Sequence, residues 1–539
     1  MISLVEALNA GRRPFVRQQV PAAPTKVIQG DFRKTIIAPG GPRRIGDFAD
    51  DLGKMLCDEL IYLRAGAVWY FCELERKLIL MDADTFVGWL EQHVVPVKET
   101  FDDEGGRSIE PCSVGKTSLG SVLKVPQFKR HLKQVRMISE VPVPAWIEGE
   151  EMPRLLVAGE RPTFYGQWGL LLVTPPEGKI EIDEEMTAQE GLAWFEELCQ
   201  DFPHRAEDVK RDRAVVLAGM LTTFCELLFP PGTQRPVFVV NANAPGSGKT
   251  TLMRLILAPV YGSVAVTPPP RGKDDTETEK VLAALAFEGA NYVMFDNCKD
   301  EIGGAAMEAL ISARQFKARL LGKSETLLVP NRLLFCFTGN GAELTDDMKR
   351  RTLEVRLFME EVSAEFRTIH APLEEEDILR HRGKILSMLW AIVREWAASG
   401  RAVGQMSSIN FPAWAGMIGG MIEAVGCANP LTPPCHPDSN EHEWRAFEAL
   451  LALALDEVGR DTRLMKSGAL MEFARLNSAF TWLAEEKPED EKKRIGEAAK
   501  WGAKVQHYRG RKFPNGCSMD WDADGAQTRV NRQLLITRA

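Results

Sequence analysis

The segment at residues 243–250, NAPGSGKT, has the residue types and the spacing that bind a triphosphate. In such a loop, consecutive backbone N–H groups and the N-terminus of the following helix surround the β-phosphate. We expect the Lys249 ammonium to neutralise phosphate charge and the Thr250 hydroxyl to reach Mg²⁺. The nucleotide-binding residues that this pattern predicts are Asn243, Ala244, Pro245, Gly246, Ser247, Gly248, Lys249, Thr250 and Thr251.

The first position of this segment departs from the usual pattern G-x-x-x-x-G-K-[ST], because it is asparagine. Asparagine tolerates positive φ better than most residues do, so we expect the loop to form around Asn243. A second Gly-Lys-Thr, at residues 115–117, lacks a preceding glycine-rich turn and a buried strand. We do not interpret it as a nucleotide site.

A carboxylate and an amide follow the apolar run at residues 292–295. An acid at the end of a strand downstream of the phosphate loop is typical of the group that holds the Mg²⁺ shell, and Asp296 has this position. Many nucleotide hydrolases have glutamate next as general base, whereas Asn297 can orient water but cannot accept its proton. Either hydrolysis is slow or another carboxylate is the base. The carboxylates nearest in sequence are Asp300, Glu301 and Glu288.

Two further positions match the chemistry of phosphoryl transfer. Asn340 follows another apolar run, and we expect its amide to hydrogen-bond the γ-phosphate or the attacking water; a plain β-turn is the alternative. Arg350 or Arg351 has the position of an arginine that a neighbouring subunit supplies to the transferred phosphoryl group. An ion pair within the chain, to Asp346 or Asp347, is the alternative.

Three basic segments are candidates for DNA contact. Residues 319–329 form two apolar stretches around a Gly-Lys-Ser-Glu turn, which predicts a hairpin standing off the sheet. In a ring, such a hairpin projects into the central pore, where Arg319 and Lys323 would follow DNA phosphates. The remaining candidates are Arg509, Arg511 and Lys512 in a basic segment near the end, and an arm at residues 1–45 with eight Lys/Arg against two acids. Ordinary solvated lysines and arginines are the alternative.

The elements that must position these groups alternate between strand and helix patterns from residue 231 to residue 360. This alternation predicts a parallel sheet, with the Asn340 strand between the two strands that end at the phosphate loop and at Asp296. Outside this region we expect a hairpin at residues 61–72, helices at residues 82–93, 123–136, 187–201, 206–229, 378–399 and 413–425, and a strand at residues 169–173.

The composition is that of an ordinary globular protein, with 539 residues, 45% apolar residues and 26% charged residues. No apolar run has the length of a membrane span, and we expect a cytoplasmic protein without membrane association. The ten cysteines are scattered and include no C-x-x-C, which is typical of a reduced compartment. The net charge is −9, but residues 494–539 carry nine Lys/Arg against four acids. Basic ends on an acidic body are compatible with DNA binding at the ends.

Together, the motifs at residues 243–250, 295–297, 319–325, 338–340 and 347–351 resemble the helicase portion of primase-helicase proteins of phages, plasmids and integrated islands. These proteins are superfamily 3 and AAA+ ring ATPases. The resemblance extends over roughly residues 150–430 and implies a hexameric, ATP- and Mg²⁺-dependent motor on single-stranded or forked DNA. It also implies a replication role for a mobile genetic element. No primase segment is recognisable in the chain, so we do not expect priming activity from it, and whether a separate primase is its partner stays open.

The expected fold class is α/β, a P-loop AAA+ core with a parallel sheet. An α+β N-terminal domain precedes it, and a helical lid and a winged-helix-like C-terminal domain follow. In the last domain we expect helices at residues 467–485 and 492–505, a basic wing at residues 508–513 and a strand at residues 532–537. The expected domains are a flexible basic arm (1–45), the N-terminal domain (46–185), a helical linker or collar (186–230), the ATPase core (231–360), the lid (361–430) and the C-terminal domain (431–539).

Two other functions stay open at this point. A nucleotide-switched DNA-binding or anti-phage defence assembly with slow hydrolysis is favoured by Asn297, because a switch needs no fast general base. A protein remodeller with residues 46–185 as its client-binding part would share the same core.

Overall fold

The computed structural model describes the chain in the following ranges: 33–40, 43–101, 107–269, 275–298, 301–319, 326–359, 369–400, 403–404, 406, 408, 410–435, 441–480, 483, 487–488, 490–510, 512–513, 515–522 and 533–538. The predicted basic arm up to residue 32 lies outside these ranges. So do Lys323 and Arg511, both predicted to contact DNA, and the candidate base Asp300.

The first part of the described chain forms four small sheets with short helices between them. Its elements are β1 (Lys34–Ile37), α1 (Ile45–Leu56), β2 (Ile61–Arg64), β3 (Ala67–Cys72), β4 (Lys77–Leu80), α2 (Ala83–His93), β5 (Val94–Phe101), β6 (Arg107–Pro111), α3 (Lys116–Val122), α4 (Pro126–Lys129), β7 (Lys133–Gln134), β8 (Met137–Ser139), β9 (Val143–Ala145), β10 (Arg154–Leu156), β11 (Thr163–Tyr165) and β12 (Leu170–Leu172). The sheet orders are β1-β5-β6, β4-β3-β2-β7, β11-β12-β8 and β10-β9.

The predicted hairpin at residues 61–72 and the predicted helix at residues 82–93 are confirmed. Strands β2 and β3 pair antiparallel, and the turn residues Ala65 and Gly66 have φ values of 47° and 75°. Positive φ at both central residues is what the tightest hairpin turns require. Helix α2 begins after Asp82, whose carboxylate accepts the Thr85 N–H at 2.7 Å.

The predicted helix at residues 123–136 is wrong. Only Pro126–Lys129 within this range is helical, and Lys133–Gln134 instead pairs in parallel with β2. Proline at position 126 starts a helix but disfavours helical backbone at the residue before it, and Val125 is extended, with φ −80° and ψ 140°. The apolar residues in this segment therefore belong to two short elements.

A parallel sheet occupies the middle of the chain. The elements here are α5 (Ala188–Leu198), α6 (Val209–Phe224), β13 (Val237–Ala242), α7 (Lys249–Tyr261), α8 (Asp275–Glu288), β14 (Tyr292–Cys298), α9 (Ala305–Ser312), β15 (Gln315–Arg319), β16 (Thr326–Pro330), β17 (Leu334–Asn340), α10 (Asp346–Lys349) and β18 (Thr352–Leu357). The sheet order is β14-β17-β13-β18, with every pairing parallel. The prediction that the Asn340 strand lies between the other two is confirmed.

The central strands are continuous apolar runs because both faces of the sheet are covered. Alternate residues of β13 point to opposite sides: Phe238 and Val240 join the cluster formed with helices α6 and α7, whereas Val237 and Val239 join the cluster formed with α8 and α9. The carboxyl ends of the parallel strands consequently meet at one edge, where β13 ends at the phosphate loop and β14 ends near Asp296.

The rest of the described chain is helical and then mixed. It contains α11 (Glu375–Arg380), α12 (Arg382–Ala398), α13 (Pro412–Ala424), α14 (Glu441–Val458), β19 (Thr462–Lys466), α15 (Ser467–Leu476), α16 (Glu491–Tyr508), β20 (Cys517–Trp521) and β21 (Gln533–Arg538). Helices α12 and α13 complete the core cluster over α6 and α7, and the elements from α14 onward have a core of their own. Within the described residues, no helix is long and apolar enough to cross a membrane.

Several expectations for the second half need correction. The helix predicted at residues 378–399 is two helices that meet at His381, and the one predicted at residues 467–485 ends at Leu476. The final strands form the antiparallel sheet β19-β21-β20, of which the sequence pattern predicted only β21. The basic segment 508–513 joins the end of α16 to β20 and is therefore not a loop between two wing strands, as predicted; the loop between β20 and β21 lies outside the described residues.

Candidate nucleotide-binding site

The phosphate loop lies between the end of β13 and the start of α7. Gly246 and Gly248 have φ values of 78° and 89°, a region that favours glycine, and Gly248 is the N-cap of the helix. Helix α7 begins at Lys249, so its first N–H groups face the loop. Burial lowers the pKa of Lys249, and the Asp296 carboxylate opposes this shift.

Asn243 holds the start of the loop through its side chain. Its Nδ2 donates to the Met359 carbonyl at 2.8 Å, and its Oδ1 accepts the Met359 N–H at 2.9 Å. The residue does not have positive φ, so the expectation that asparagine is accepted here for tolerance of that region is wrong. The amide instead imitates a peptide group and adds a pairing beyond the last β13–β18 register pair, Ala242 with Leu357.

Asp296 lies at the same edge and accepts two hydroxyl hydrogen bonds. Thr250 Oγ1 donates to Asp296 Oδ1 at 2.9 Å, and Thr338 Oγ1 donates to the same oxygen at 2.5 Å. Thr250 and Asp296 were predicted to share a metal ion, and the tertiary structure brings their oxygens into direct contact. A hydroxyl and a carboxylate are hard oxygen donors of the kind that Mg²⁺ prefers in combination with phosphate oxygens.

Thr338 is a site residue whose role the sequence did not predict, although it begins the motif at residues 338–340. It is fully buried on β17 and also accepts the Asn297 N–H at 2.9 Å, so one hydroxyl fixes two consecutive residues of β14. The available signal was a hydroxyl residue at the end of an otherwise apolar run, Leu333 to Phe337.

Asn297 has left-handed backbone, with φ 60°, at an irregularity where the register of β14 against β17 shifts. Asparagine is among the few non-glycine residues that adopt this region readily. Its Oδ1 lies 3.5 Å from Asn340 Nδ2, and within the described residues Asn340 Oδ1 is buried without a hydrogen-bond partner. Two side-chain amides therefore converge next to Asp296.

One of the three candidate bases is excluded by its position. Glu288 precedes the seven-residue strand β14, whereas Asp296 lies near its end. At about 3.3 Å per residue, the four steps from Tyr292 to Asp296 span about 13 Å along the strand, and Glu288 lies beyond the start of that strand. Glu288 is therefore not at the sheet edge that carries the phosphate loop; Glu301 is described and exposed.

The paired arginines lie at the other end of the sheet from the phosphate loop. They precede β18, whose first residue, Thr352, pairs with Val237 at the start of β13. Arg350 contacts Asp347 at 2.5 Å, with 71% of its side chain exposed. Arg351 is 24% exposed and contacts both Asp347, at 2.9 Å, and the Glu308 carbonyl, at 3.3 Å. Neither arginine reaches the phosphate loop of its own chain, and Arg350 is the more accessible one.

The predicted DNA contacts are dispersed. Strands β15 and β16 form the expected antiparallel hairpin, with Arg319 as the last residue of β15 opposite Thr326. Arg509 lies 3.5 Å from Asp520, and Lys512 is exposed.

An aromatic residue beside the loop was also missed. A Cβ added to Gly248 would lie 3.1 Å from the Phe202 ring. The segment that carries Phe202 is held beside β18, since the Phe358 N–H donates to the Pro203 carbonyl at 2.6 Å. No sequence motif marks this residue, because it lies well before the loop in the chain.

Comparisons with known proteins give structural neighbours alone. No family model and no curated protein matches the chain. The apo structure of the NrS-1 C-terminal region has a TM-score of 0.29 at 13% identity, covering 57% of this chain and 68% of that one. SCCmec type IV Cch, an active helicase, has a TM-score of 0.28 at 10% identity, and the match covers 89% of this chain and 98% of that one. JCV helicase has a TM-score of 0.20 at 13% identity, and the match covers 45% of this chain and 68% of that one. Helicases thus recur among the similar structures, at scores too low to carry an argument about this chain.

Proposed function

We propose that this protein is an ATP-dependent DNA helicase or replication-initiator ATPase that acts as a ring on single-stranded or forked DNA. The observation that carries the proposal is the contact of Thr250 with Asp296 beneath the phosphate loop. Three kinds of group meet at this sheet edge: a helix N-terminus, the partly desolvated Lys249 and a hydroxyl–carboxylate pair. Together they can bind a nucleoside triphosphate with its metal ion.

The residues present fit Mg²⁺, which Thr250 and Asp296 would hold. The ion would neutralise charge on the phosphate oxygens. The protein's own groups bind and orient: the loop N–H groups hold the phosphates, and Thr338 fixes the Asp296 carboxylate. Asn340 and Asn297 hold the water or the γ-phosphate through their amides.

Ring assembly is supported by the separation of Arg350 from the phosphate loop of its own chain. Arg350 is exposed and precedes the first residue of β18, so any phosphate that it contacts would belong to the site of another copy; within its own chain it pairs with Asp347. The strand order also supports a P-loop core of the AAA+ kind, because the Asn340 strand separates the phosphate-loop strand from the Asp296 strand.

The C-terminal elements support a winged-helix-like domain whose DNA-binding surface is α16. The order helix, strand, helix, helix, strand, strand is that of such modules, and Trp501, Val505 and Tyr508 bury one face of α16. A flank of α16, about 100° around the helix from this face, carries exposed Lys493 and Lys500. This proposal moves the main DNA contact from the segment 508–513 to the helix before it.

The test is ATP turnover with and without single-stranded DNA, combined with unwinding of a forked duplex. We expect Lys249→Ala to abolish turnover, and Lys323→Ala to retain basal turnover while DNA stimulation and unwinding are lost. Full unwinding by the Lys323 variant would exclude the hairpin as the DNA-contacting element. Turnover by the Lys249 variant at the wild-type rate would exclude the loop as the nucleotide site.

A nucleotide-switched DNA-binding assembly is the second candidate, and the left-handed backbone at Asn297 favours it. Glutamate, the usual general base, is disfavoured in that conformation by about 1–2 kcal/mol. Turnover below about one per minute without response to DNA would favour the switch, given that enzymes typically turn over about 1 to 1,000 times per second.

A further inference from the structure

A cleft of 390 Å³ lies at the other end of β14 from Asp296. One wall comes from the β2–β4 sheet and the segment after β8, and the other comes from the end of α7, the end of α8 and the first residues of β14. Its volume is within the range of about 300–1,000 Å³ that small-molecule sites have. The cleft is therefore separate from the phosphate loop and large enough for an organic ligand.

The charged side chains on the cleft wall are Arg64, Arg76, Lys77, Glu140 and Glu288. Most of them have an opposite charge nearby. Glu140 lies 3.8 Å from Arg382, and Lys77 lies 2.6 Å from Glu75 outside the cleft. The buried Arg64 interacts electrostatically with Glu288 and donates to the Gly289 carbonyl at 2.7 Å. Arg76 also interacts electrostatically with Glu140, and the cleft wall as a whole carries three basic and two acidic side chains.

Arg76 is the last residue of the turn between β3 and β4, and its φ of 50° is ordinary for a hairpin turn. Its Nε is buried and has no hydrogen-bond partner in the described part of the chain. A guanidinium N–H enclosed in this way is costly unless a ligand accepts its hydrogen bond.

The remaining wall is largely apolar and aromatic. The rings of Tyr261 and Tyr292 stack at 5.1 Å between centroids. The aliphatic residues of the wall are Leu78, Ile138, Val260, Leu285, Val293 and Met294. Four of these, Leu78, Val260, Val293 and Met294, are already buried in the core clusters. The apolar groups that an organic body would cover, and a free phosphate would not, are the half-buried tyrosine pair, Ile138 and Leu285.

We propose that this cleft binds a small organic anion of mononucleotide size, with its anionic group on Arg76 and its apolar or ring-bearing part against the tyrosine pair. The site is distinct from the phosphate loop and does not depend on nucleotide hydrolysis. Arg64 and Gly289 join the two walls of the cleft, so a ligand there contacts the start of the strand that carries Asp296 at its other end.

The experiment is isothermal titration of the full-length Lys249→Ala protein with AMP, since this variant silences the phosphate loop. We expect one AMP per chain, with inorganic phosphate at least about tenfold weaker because it has no apolar body. Arg76→Ala weakens AMP binding by about tenfold or more, the effect of losing a charged hydrogen-bond partner. Arg76→Lys retains part of the affinity because the charge is kept.

The matched control is Arg161→Ala, which removes an equally charged, exposed side chain from the same part of the chain and leaves AMP binding unchanged. Hydrogen exchange gives an independent readout, since AMP should protect amides near residues 64–78 and 289–294 in Arg161→Ala but not in Arg76→Ala. Absence of AMP binding at millimolar concentration, or equal affinity in Arg76→Ala, overturns the proposal. Equal affinity for AMP and phosphate overturns the organic character of the ligand.

Discussion

Thr338 belongs to the motif at residues 338–340, and it governs the chemistry of Asp296 although no role was predicted for it. Its hydroxyl donates to the Asp296 carboxylate and accepts the Asn297 N–H, so it fixes the acid and the amide together. A carboxylate that must bind a metal ion needs one orientation, and hydrogen bonds from neighbouring groups supply it. Thr338 is therefore a positioning residue for Asp296.

Thr338→Val tests this role with a side chain of nearly the same volume. We expect kcat for ATP to fall about 10- to 100-fold, as when a metal ligand loses its supporting hydrogen bond. The affinity for nucleotide should change less than about threefold, because the phosphate loop is intact. Steady-state turnover and titration with a fluorescent ATP analogue measure the two effects.

The control is Thr223→Val, which removes a hydroxyl that is equally buried but bonds only to backbone carbonyls of α6 and α7. Both valine variants should lose stability by about 1–3 kcal/mol. A kcat in Thr338→Val equal to that of the Thr223 variant would show that the Thr338 hydroxyl has only a structural role.

At the scale of elements, Asn243 joins the phosphate loop to the chain that leaves β18. Its two hydrogen bonds to Met359 extend the pairing of β13 with β18 beyond the last residue of either strand. This explains why the first glycine of the usual pattern is replaced without loss of the loop. Where glycine would supply backbone flexibility, Asn243 instead holds the loop through its two side-chain hydrogen bonds to Met359.

Asn243→Ala should lower the free energy of unfolding by about 1–2 kcal/mol, because it leaves a partly buried N–H and carbonyl of Met359 without partners. Nucleotide affinity should fall several-fold as the loop loses its anchor. Asn243→Asp keeps the oxygen that accepts the Met359 N–H but loses the N–H donor. Its stability and nucleotide affinity should therefore lie between those of the wild type and of Asn243→Ala. The control is Asn477→Ala, which removes an exposed amide hydrogen bond to the Phe473 carbonyl. Equal stability of Asn243→Gly and wild type in urea unfolding would contradict this account.

At the scale of the whole molecule, Arg350 lies too far from the phosphate loop of its own chain to act there. A mixture of two variants tests whether it acts on another copy. Lys249→Ala and Arg350→Ala should each be inactive alone. In an equal mixture about a quarter of subunit interfaces combine an intact loop with an intact arginine, so turnover should recover by up to that share. Absence of any recovery, with assembly verified by light scattering, would contradict action between subunits.

The docking of the first sheets on the core depends on Gly289, which has φ 71°. A Cβ there would lie 1.6 Å from the Arg64 guanidinium, whereas a Cβ on Gly232, with φ 76°, would meet nothing within 4 Å. Alanine costs about 1–2 kcal/mol at either position through backbone strain. Gly289→Ala should lower the free energy of unfolding by a further 1 kcal/mol or more, about the penalty of overpacking. It should also speed trypsin cleavage between the first sheets and the parallel-sheet core. Equal stability of the two alanine variants in urea unfolding would show that the contact does not matter.

The central elements were predictable because short-range patterns determine them. The strand, loop and helix around residues 243–250 and the apolar runs that end at Asp296 and Asn340 follow from hydrophobic periodicity and a local motif. Hydrophobic periodicity gave a wrong prediction at residues 123–136, where one apolar pattern runs through a short helix and a short strand. There the backbone restriction before Pro126 and the pairing of Lys133 with β2 decided the outcome.

The sequence by itself determined that the chain has a phosphate loop, an acid downstream of it and a following asparagine in place of glutamate, since these depend on residue identity and spacing. Only the tertiary structure decided which groups meet. It placed Thr250 and Thr338 on one Asp296 oxygen, gave Asn243 its partner Met359, and put Glu288 and Arg350 away from the loop. The physical reason is that a parallel sheet brings together strand ends that are distant in the chain, and no local pattern encodes those contacts.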